Sequence, residues 1–169
     1  HPIAGPLMRG MKHIPVDRHD GSVAFETAVA AARAGELIGV FPEATMSRSL
    51  EIKELKNGAV RMAREAEVPL VPMIVFGGHR VLSYDVRDFT RGRTICMTIG
   101  RPMASNNDVD EMTHALRSTL SELLDETIYR YPDKPPGAPW IPQRHGGSAP
   151  SLEEAARIEE QRRAAREST

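Results

Sequence analysis

Four polar side chains stand close together in the stretch FPEATMSRS, residues 41–49: Glu43, Thr45, Ser47 and Arg48. Hydroxyls and an arginine suit a phosphate or carboxylate ligand, because they donate hydrogen bonds and supply positive charge. The stretch directly follows ELIGV, an apolar segment typical of a buried strand. Ligands in open α/β sheets bind beyond the carboxyl ends of strands, so the sequence predicts a binding site here.

Two further cations are predicted to lie near this loop. Arg18 belongs to DRHDG, which follows the apolar segment HIPV, and Lys56 stands just ahead of a predicted helix that starts near Asn57. Cations, hydroxyls and a helix N-terminus together form a candidate anion site. Helix capping and surface ion pairing are the alternative explanation for the same residues.

The elements that must position these loops alternate between strand and helix. Apolar stretches predict short strands at HIPVD, ELIGVF, PLVPMIVFG and RTICMTIG, and the third is apolar enough to be covered on both faces. Helices are predicted over PIAGPLMRGM, VAFETAVAAARA, NGAVRMAREAE and NNDVDEMTHALRSTLSELLDETIYRY. This alternation predicts an α/β domain with a mostly parallel sheet flanked by helices.

The helix ends and the apolar stripe of the last helix are also predicted. Ser22 is expected to cap the second helix, Gly35 to end it, and Asn107 to cap the last one. The stripe that the last helix should bury consists of Val109, Met112, Leu116, Leu120 and Leu123.

Composition shifts divide the chain into three parts. Residues 1–131 form the predicted α/β domain, and residues 132–150 are a Pro/Gly-rich arm that Trp140 is expected to pin to the domain. Residues 151–169 are predicted to form a charged helical tail, solvated or frayed because its apolar content is poor.

The composition narrows the class of protein. The formal net charge of -1 gives no support to a nucleic-acid partner, and none is predicted. The single cysteine, Cys96, excludes a disulfide framework and suits a reducing compartment. One cysteine and unclustered histidines predict no metal site. The longest apolar run, PLVPMIVF, is far shorter than the ~20 residues that span a bilayer.

Four segments in one order and spacing, IPVDR, FPEATMSRS, ELKNGA and VPLVPMIVFG, resemble the later sequence blocks of a known family. The family is that of the 1-acyl-glycerol-3-phosphate acyltransferases, which are lysophospholipid acyltransferases, and the likeness runs from His1 to Met103. The resemblance implies transfer of an acyl chain from acyl-CoA or acyl-carrier protein to the hydroxyl of lysophosphatidic acid, which gives phosphatidic acid. It implies no cofactor besides the acyl donor, and a location at the cytoplasmic face of a membrane.

The resemblance also implies a role for each candidate residue. Arg18 would bind the acceptor's phosphate, Lys56 would add a second cation, and Glu43 would organise the site. Thr45 and Ser47 would line it, while VPLVP would shape the wall near the acyl chain or the donor.

The loop departs from the family's FPEGTRS pattern at two positions. Ala44 replaces the glycine, which tightens the backbone requirement there. Met46 replaces the arginine, and Arg48 is the candidate substitute. Acyl transfer to another lysolipid or to a glycolipid therefore remains an alternative.

The family's first block is a His and an Asp separated by four residues. The His acts as general base on the acceptor's hydroxyl, and the Asp orients the His. None of the six histidines here is followed by an aspartate at that spacing. We expect this block, with the segment that contacts the membrane, upstream of His1, and we expect the 169 residues to be inert alone. A non-catalytic phosphate-binding or lipid-binding module is the alternative of a different class.

Overall fold

The computed structural model describes residues 10–16, 21–84, 86–105 and 108–167. In chain order the described elements are α1 (Ser22–Arg33), α2 (Gly58–Ala66), β1 (Met73–Phe76), β2 (Cys96–Ile99), α3 (Val109–Arg130) and α4 (Leu152–Glu167). Short 3-10 turns occur at Gly78–Arg80 and Gln143–His145. No described helix is long and apolar enough to cross a bilayer.

The described sheet consists of β1 and β2, which pair antiparallel with Met73 opposite Ile99 and Phe76 opposite Cys96. One face of the sheet packs on α3 through the buried Ile74 and Phe76. The α/β class is confirmed, but these strands do not show the parallel pairing that was expected. The direct connection between β1 and β2 contains no crossover helix, which a parallel pair requires.

The other face of this sheet is apolar and exposed. Met73, Val75, Met97 and Ile99 each keep about half or more of their surface accessible. The prediction that the PLVPMIVFG strand is covered on both faces is wrong for the described residues, because α3 covers only one face.

The predicted strand ELIGVF is not a strand. Residues 36–41 have no regular structure, and Leu37 and Phe41 are 97% and 91% exposed. A strand needs a neighbour for its backbone N–H and C=O groups, and the described residues pair no strand with this segment. Residues 13–16 of HIPVD are also irregular, while the rest of that segment and most of PIAGPLMRGM lie outside the described residues.

α1 and α2 pack on one another through Val29, Ala32 and Ala66. Gly35 has a φ of 85°, which glycine adopts without strain, and it ends α1 as predicted. The N-cap of α1 is Gly21 rather than the predicted Ser22. α2 begins directly after Asn57, where the sequence placed it.

α3 supplies five of the eleven described buried residues of the main core cluster. Its buried stripe contains Met112, Leu116 and Leu120, as predicted, and continues through Leu124 and Ile128. The other two predicted members, Val109 and Leu123, are only half-buried at the edge of this core. Asp108 is the N-cap, since its carboxylate accepts hydrogen bonds from the backbone N–H groups of residues 110 and 111. The predicted cap, Asn107, lies outside the described residues.

The arm is fastened to the domain around Arg80, which is 7% exposed. Its Nη1 lies 2.5 Å from Asp133 Oδ2 and 3.0 Å from the Tyr131 hydroxyl. Its guanidinium lies 4.1 Å from the ring centroid of Trp140, and His79 Nε2 donates a hydrogen bond to the Trp140 carbonyl. The expectation that Trp140 pins the arm is confirmed.

The tail is helical, as predicted, but it is not simply solvated. Ser151 and Glu154 exchange hydrogen bonds between side chain and backbone and form a capping box at the start of α4. Ala155 in the first turn is 3% exposed, and Glu159 one turn later contacts Lys53. The low apolar content of the tail gave no indication of these two contacts.

Candidate functional site

The loop at residues 41–49 turns sharply at Ala44. Its φ is 61°, in the left-handed region, and the turn is closed by hydrogen bonds from Ala44 N–H to the Phe41 carbonyl and from Thr45 N–H to the Glu43 carbonyl. A residue with a Cβ pays roughly 1–2 kcal/mol to adopt this conformation, whereas glycine does not. The tightened backbone requirement predicted for Ala44 is therefore confirmed.

Glu43 is turned inward and is half-buried. Burial raises the pKa of Glu43 above its ordinary value, against the positive charge of Lys53 and a hydrogen bond from the Lys53 backbone, which lower it. The carboxyl group thus contacts the chain that follows the loop. The role of organising the site stays a prediction for Glu43.

Lys53 is a further candidate site residue, which was not predicted from the sequence. Its Nζ donates a hydrogen bond to Thr45 Oγ1 at 2.6 Å and lies 3.5 Å from the Met46 carbonyl oxygen. The structure therefore brings a lysine amine to the predicted hydroxyl from outside the FPEATMSRS stretch. The only signal in the sequence is a lysine in the segment that joins the loop to α2, and Lys56 offers the same signal.

Ser47 and Arg48 contact other groups than Thr45. Ser47 Oγ is 2.9 Å from Oγ of the fully buried Ser49, which also accepts a hydrogen bond from the Glu51 backbone. The guanidinium of Arg48 lies over the ring of Tyr84, 4.1 Å from its centroid. Lys53, rather than Arg48, is thus the cation whose contact with Thr45 the structure shows.

Lys56 links the loop to the start of α2. Its backbone N–H donates to the Pro42 carbonyl at 2.8 Å, and its side chain is exposed. The loop and the N-terminus of α2 are therefore neighbours, as the anion-site prediction requires, and the helix dipole adds partial positive charge there. Arg18 lies outside the described residues, so its place in the site stays a prediction.

The loop also meets the C-terminal part of the chain. Glu51 Oε1 lies 3.5 Å from Arg144 Nε, and Lys53 Nζ lies 3.5 Å from Glu159 Oε1 of α4. The backbone carbonyl of Lys53 accepts a hydrogen bond from Arg117 Nε of α3. Residues 51–53 are thus held by the arm, by α4 and by α3.

The described residues contain one hydrogen bond between a histidine and an aspartate, which joins His145 Nε2 and Asp125 Oδ1 at 2.9 Å. Arg144 Nη1 lies 2.5 Å from the same carboxylate oxygen. Burial raises the pKa of Asp125, but the hydrogen bonds from Arg144 and His145 outweigh it and hold this pKa below its ordinary value. The cluster fastens the arm to α3.

His79 also has a contact with the arm. Burial lowers the pKa of His79 below its ordinary value, against the hydrogen bond to the Trp140 carbonyl, which raises it. The arm covers His79, so this side chain is not fully solvated. No described group of three His, Cys, Asp or Glu side chains is arranged to hold a metal ion.

These features define an α/β domain with a candidate anion-binding loop, in which Thr45 and Lys53 lie near the start of α2. Residues 1–76, which include this loop, match the family model described as Acyltransferase. This match confirms the recognition made from the sequence blocks.

Several named proteins are similar to the chain. The 1-acyl-sn-glycerol-3-phosphate acyltransferase of Bacillus subtilis is 30% identical over 128 residues, which cover 70% of this chain and 61% of the relative. That of Limnanthes douglasii is 32% identical over 83 residues, covering 47% of this chain and 30% of the relative. The chain thus spans less than two thirds of the length of each.

A solved structure is similar in fold. The crystal structure of the 1-acyl-sn-glycerophosphate (LPA) acyltransferase PlsC from Thermotoga maritima superposes with a TM-score of 0.58 at 20% sequence identity. The match covers 65% of this chain and 46% of the other. The α/β fold class is therefore shared.

Proposed function

We propose that this chain carries the acceptor-binding part of an O-acyltransferase of phospholipid biosynthesis. The whole protein would transfer an acyl chain from acyl-CoA or acyl-carrier protein to the hydroxyl of 1-acyl-glycerol-3-phosphate. In this step the hydroxyl oxygen forms an ester bond to the acyl carbon, the thioester C–S bond breaks, and the hydroxyl proton passes to the departing thiolate, which becomes a thiol. The product is phosphatidic acid.

The observation that carries the proposal is the contact between Thr45 and Lys53, in a loop tied to the start of α2 by the hydrogen bond from Lys56 to Pro42. An amine, a hydroxyl and a helix N-terminus all favour a doubly charged phosphate. The Glu43 carboxyl group accepts a hydrogen bond from the Lys53 backbone, and this contact limits the repulsion between the carboxyl group and a bound anion. Arg18 would supply a further phosphate contact.

The chemical step needs a general base, which this family provides through a His and an Asp separated by four residues. That pattern does not occur in the 169 residues. We therefore propose that the chain binds the acceptor but does not transfer acyl groups by itself. For the whole protein we propose a site at the cytoplasmic face of a membrane, with no cofactor besides the acyl donor.

Titration calorimetry tests the acceptor-binding role. Short-chain lysophosphatidic acid, kept below its micelle concentration, should bind the chain saturably, and the matching monoacylglycerol should bind at least tenfold more weakly, since it lacks the phosphate. Equal affinity for the two lipids would refute phosphate recognition. Acyl transfer from acyl-CoA by the chain alone, well above background, would refute the proposed lack of activity.

A different lysolipid acceptor is the second candidate, and the residue at position 46 favours it. Met46 stands where the family pattern has arginine, and it is 49% exposed. An apolar side chain there removes one charge that a bare phosphate monoester would use. Tighter binding of lysophosphatidylinositol than of lysophosphatidic acid, in the same titration, would select this candidate.

A further inference from the structure

Lys53 is held from three sides. Its amine donates to Thr45 Oγ1 at 2.6 Å, its backbone carbonyl accepts from Arg117 Nε at 3.1 Å, and Glu159 Oε1 lies 3.5 Å from the amine. The Lys53 side chain is only 19% exposed. An exposed lysine samples many rotamers, whereas these contacts give this amine a defined position beside the loop.

The contact between Lys53 and Glu159 joins residues 106 positions apart. α4 can present Glu159 because its first turn is anchored by the Ser151 capping box and by the buried Ala155. The arm adds a second ion pair to the same segment, between Arg144 and Glu51. Two pairs of opposite polarity thus connect residues 51–53 with the C-terminal part of the chain.

We propose that α4 braces the loop: Glu159 holds the Lys53 amine against Thr45, and Lys53 is the positioning residue that fixes the Thr45 hydroxyl in the acceptor site. The consequence for the acceptor rests on the proposed function, whereas the brace itself does not. The match to the family model ends at residue 76 and does not include α4.

The competing explanation is that α4 only covers part of the surface of the domain and does not act on the loop. In that case Glu159 would add a little to global stability and would leave the loop unchanged. Glu160, the exposed neighbour of Glu159, provides a matched control, because it carries the same charge on the same helix.

Hydrogen–deuterium exchange of the 169-residue chain without ligand tests the brace. Glu159→Gln should raise the exchange rate of the amides of residues 43–53 about two- to fivefold, the range expected for a partly exposed ion pair. Glu160→Gln should leave these amides at the wild-type rate, and both variants should leave α3 unchanged. Equal loop exchange in the two variants would overturn the proposal.

Titration with short-chain lysophosphatidic acid tests the positioning role of Lys53. Lys53→Met should weaken binding roughly tenfold or more, since it removes a charged hydrogen-bond donor. Lys53→Arg should restore most of the affinity, and Glu159→Gln should weaken binding about two- to fivefold. A purely structural role would lower the thermal midpoint of Lys53→Met without changing the affinity of its folded form.

A negative result in one experiment does not imply a negative result in the other. If the wild-type chain does not bind lysophosphatidic acid, the proposed function falls, and hydrogen exchange still decides the brace. If the wild type binds and folded Lys53→Met binds equally well, Lys53 is not a positioning residue, although the proposed function stands.

Discussion

Replacing Arg80 by methionine tests how the arm is held to the domain. Arg80 is 7% exposed and makes contacts with Asp133, with the Tyr131 hydroxyl and with the ring of Trp140. Methionine fills a similar volume but donates no hydrogen bond. The variant therefore removes the polar contacts and keeps much of the packing.

The expected loss follows from these contacts. A hydrogen bond to a charged group contributes about 1.5–3 kcal/mol, and a cation–π contact about 0.5–2 kcal/mol. The Asp133 side chain is 49% exposed, so water solvates it once Arg80 is gone, and the loss stays below that for a fully buried pair. We expect Arg80→Met to lower the free energy of unfolding by about 2–4 kcal/mol.

Urea unfolding followed by tryptophan fluorescence measures this loss. Trp140 is the single tryptophan, so its emission reports the arm directly, and it should shift to longer wavelength if the arm leaves the domain. Arg130→Met is the matched control, because Arg130 pairs with Glu126 at an exposed site and should lose no more than about 1 kcal/mol. Equal losses of unfolding free energy in the two variants, with unchanged Trp140 emission, would refute the role of Arg80 in holding the arm.

Two further substitutions test the loop backbone and the half-buried His79. Ala44→Gly should stabilise the chain by about 0.5–1 kcal/mol, because it relieves a φ of 61°, whereas Ala34→Gly, at a φ of -77°, should destabilise it by a similar amount in urea unfolding. Burial lowers the pKa of His79 below its ordinary 6.5, so the unfolded chain binds more protons and stability should fall as pH drops below that value. His79→Gln should flatten this fall, while exposed His114→Gln should keep it, and an equal slope in both would exclude His79 as its source.

Local sequence signals predicted much of the fold. The stripe of Met112, Leu116 and Leu120 identified the buried face of α3, and Gly35 marked the end of α1. The predicted N-cap of α1 was wrong by one position, because Gly21 and Ser22 are both residues that can cap a helix. These features depend on neighbours along the chain, and a sequence displays such neighbours directly.

The sequence also located the candidate loop, but not the partners of its side chains. FPEATMSRS marked Thr45 as a site residue, and nothing in the sequence distinguished Lys53 from Lys56 as its cation. The choice depends on how the chain turns between residues 46 and 53.

The tertiary structure alone decided the long-range arrangement. No periodic pattern in the sequence indicates the antiparallel pairing of β1 with β2, the irregular course of ELIGVF or the burial of Arg80 against Trp140. The contact between Lys53 and Glu159 joins positions 106 apart. Such contacts form because packing of the whole chain brings distant surfaces together, and no residue's nearest neighbours encode which surfaces will meet.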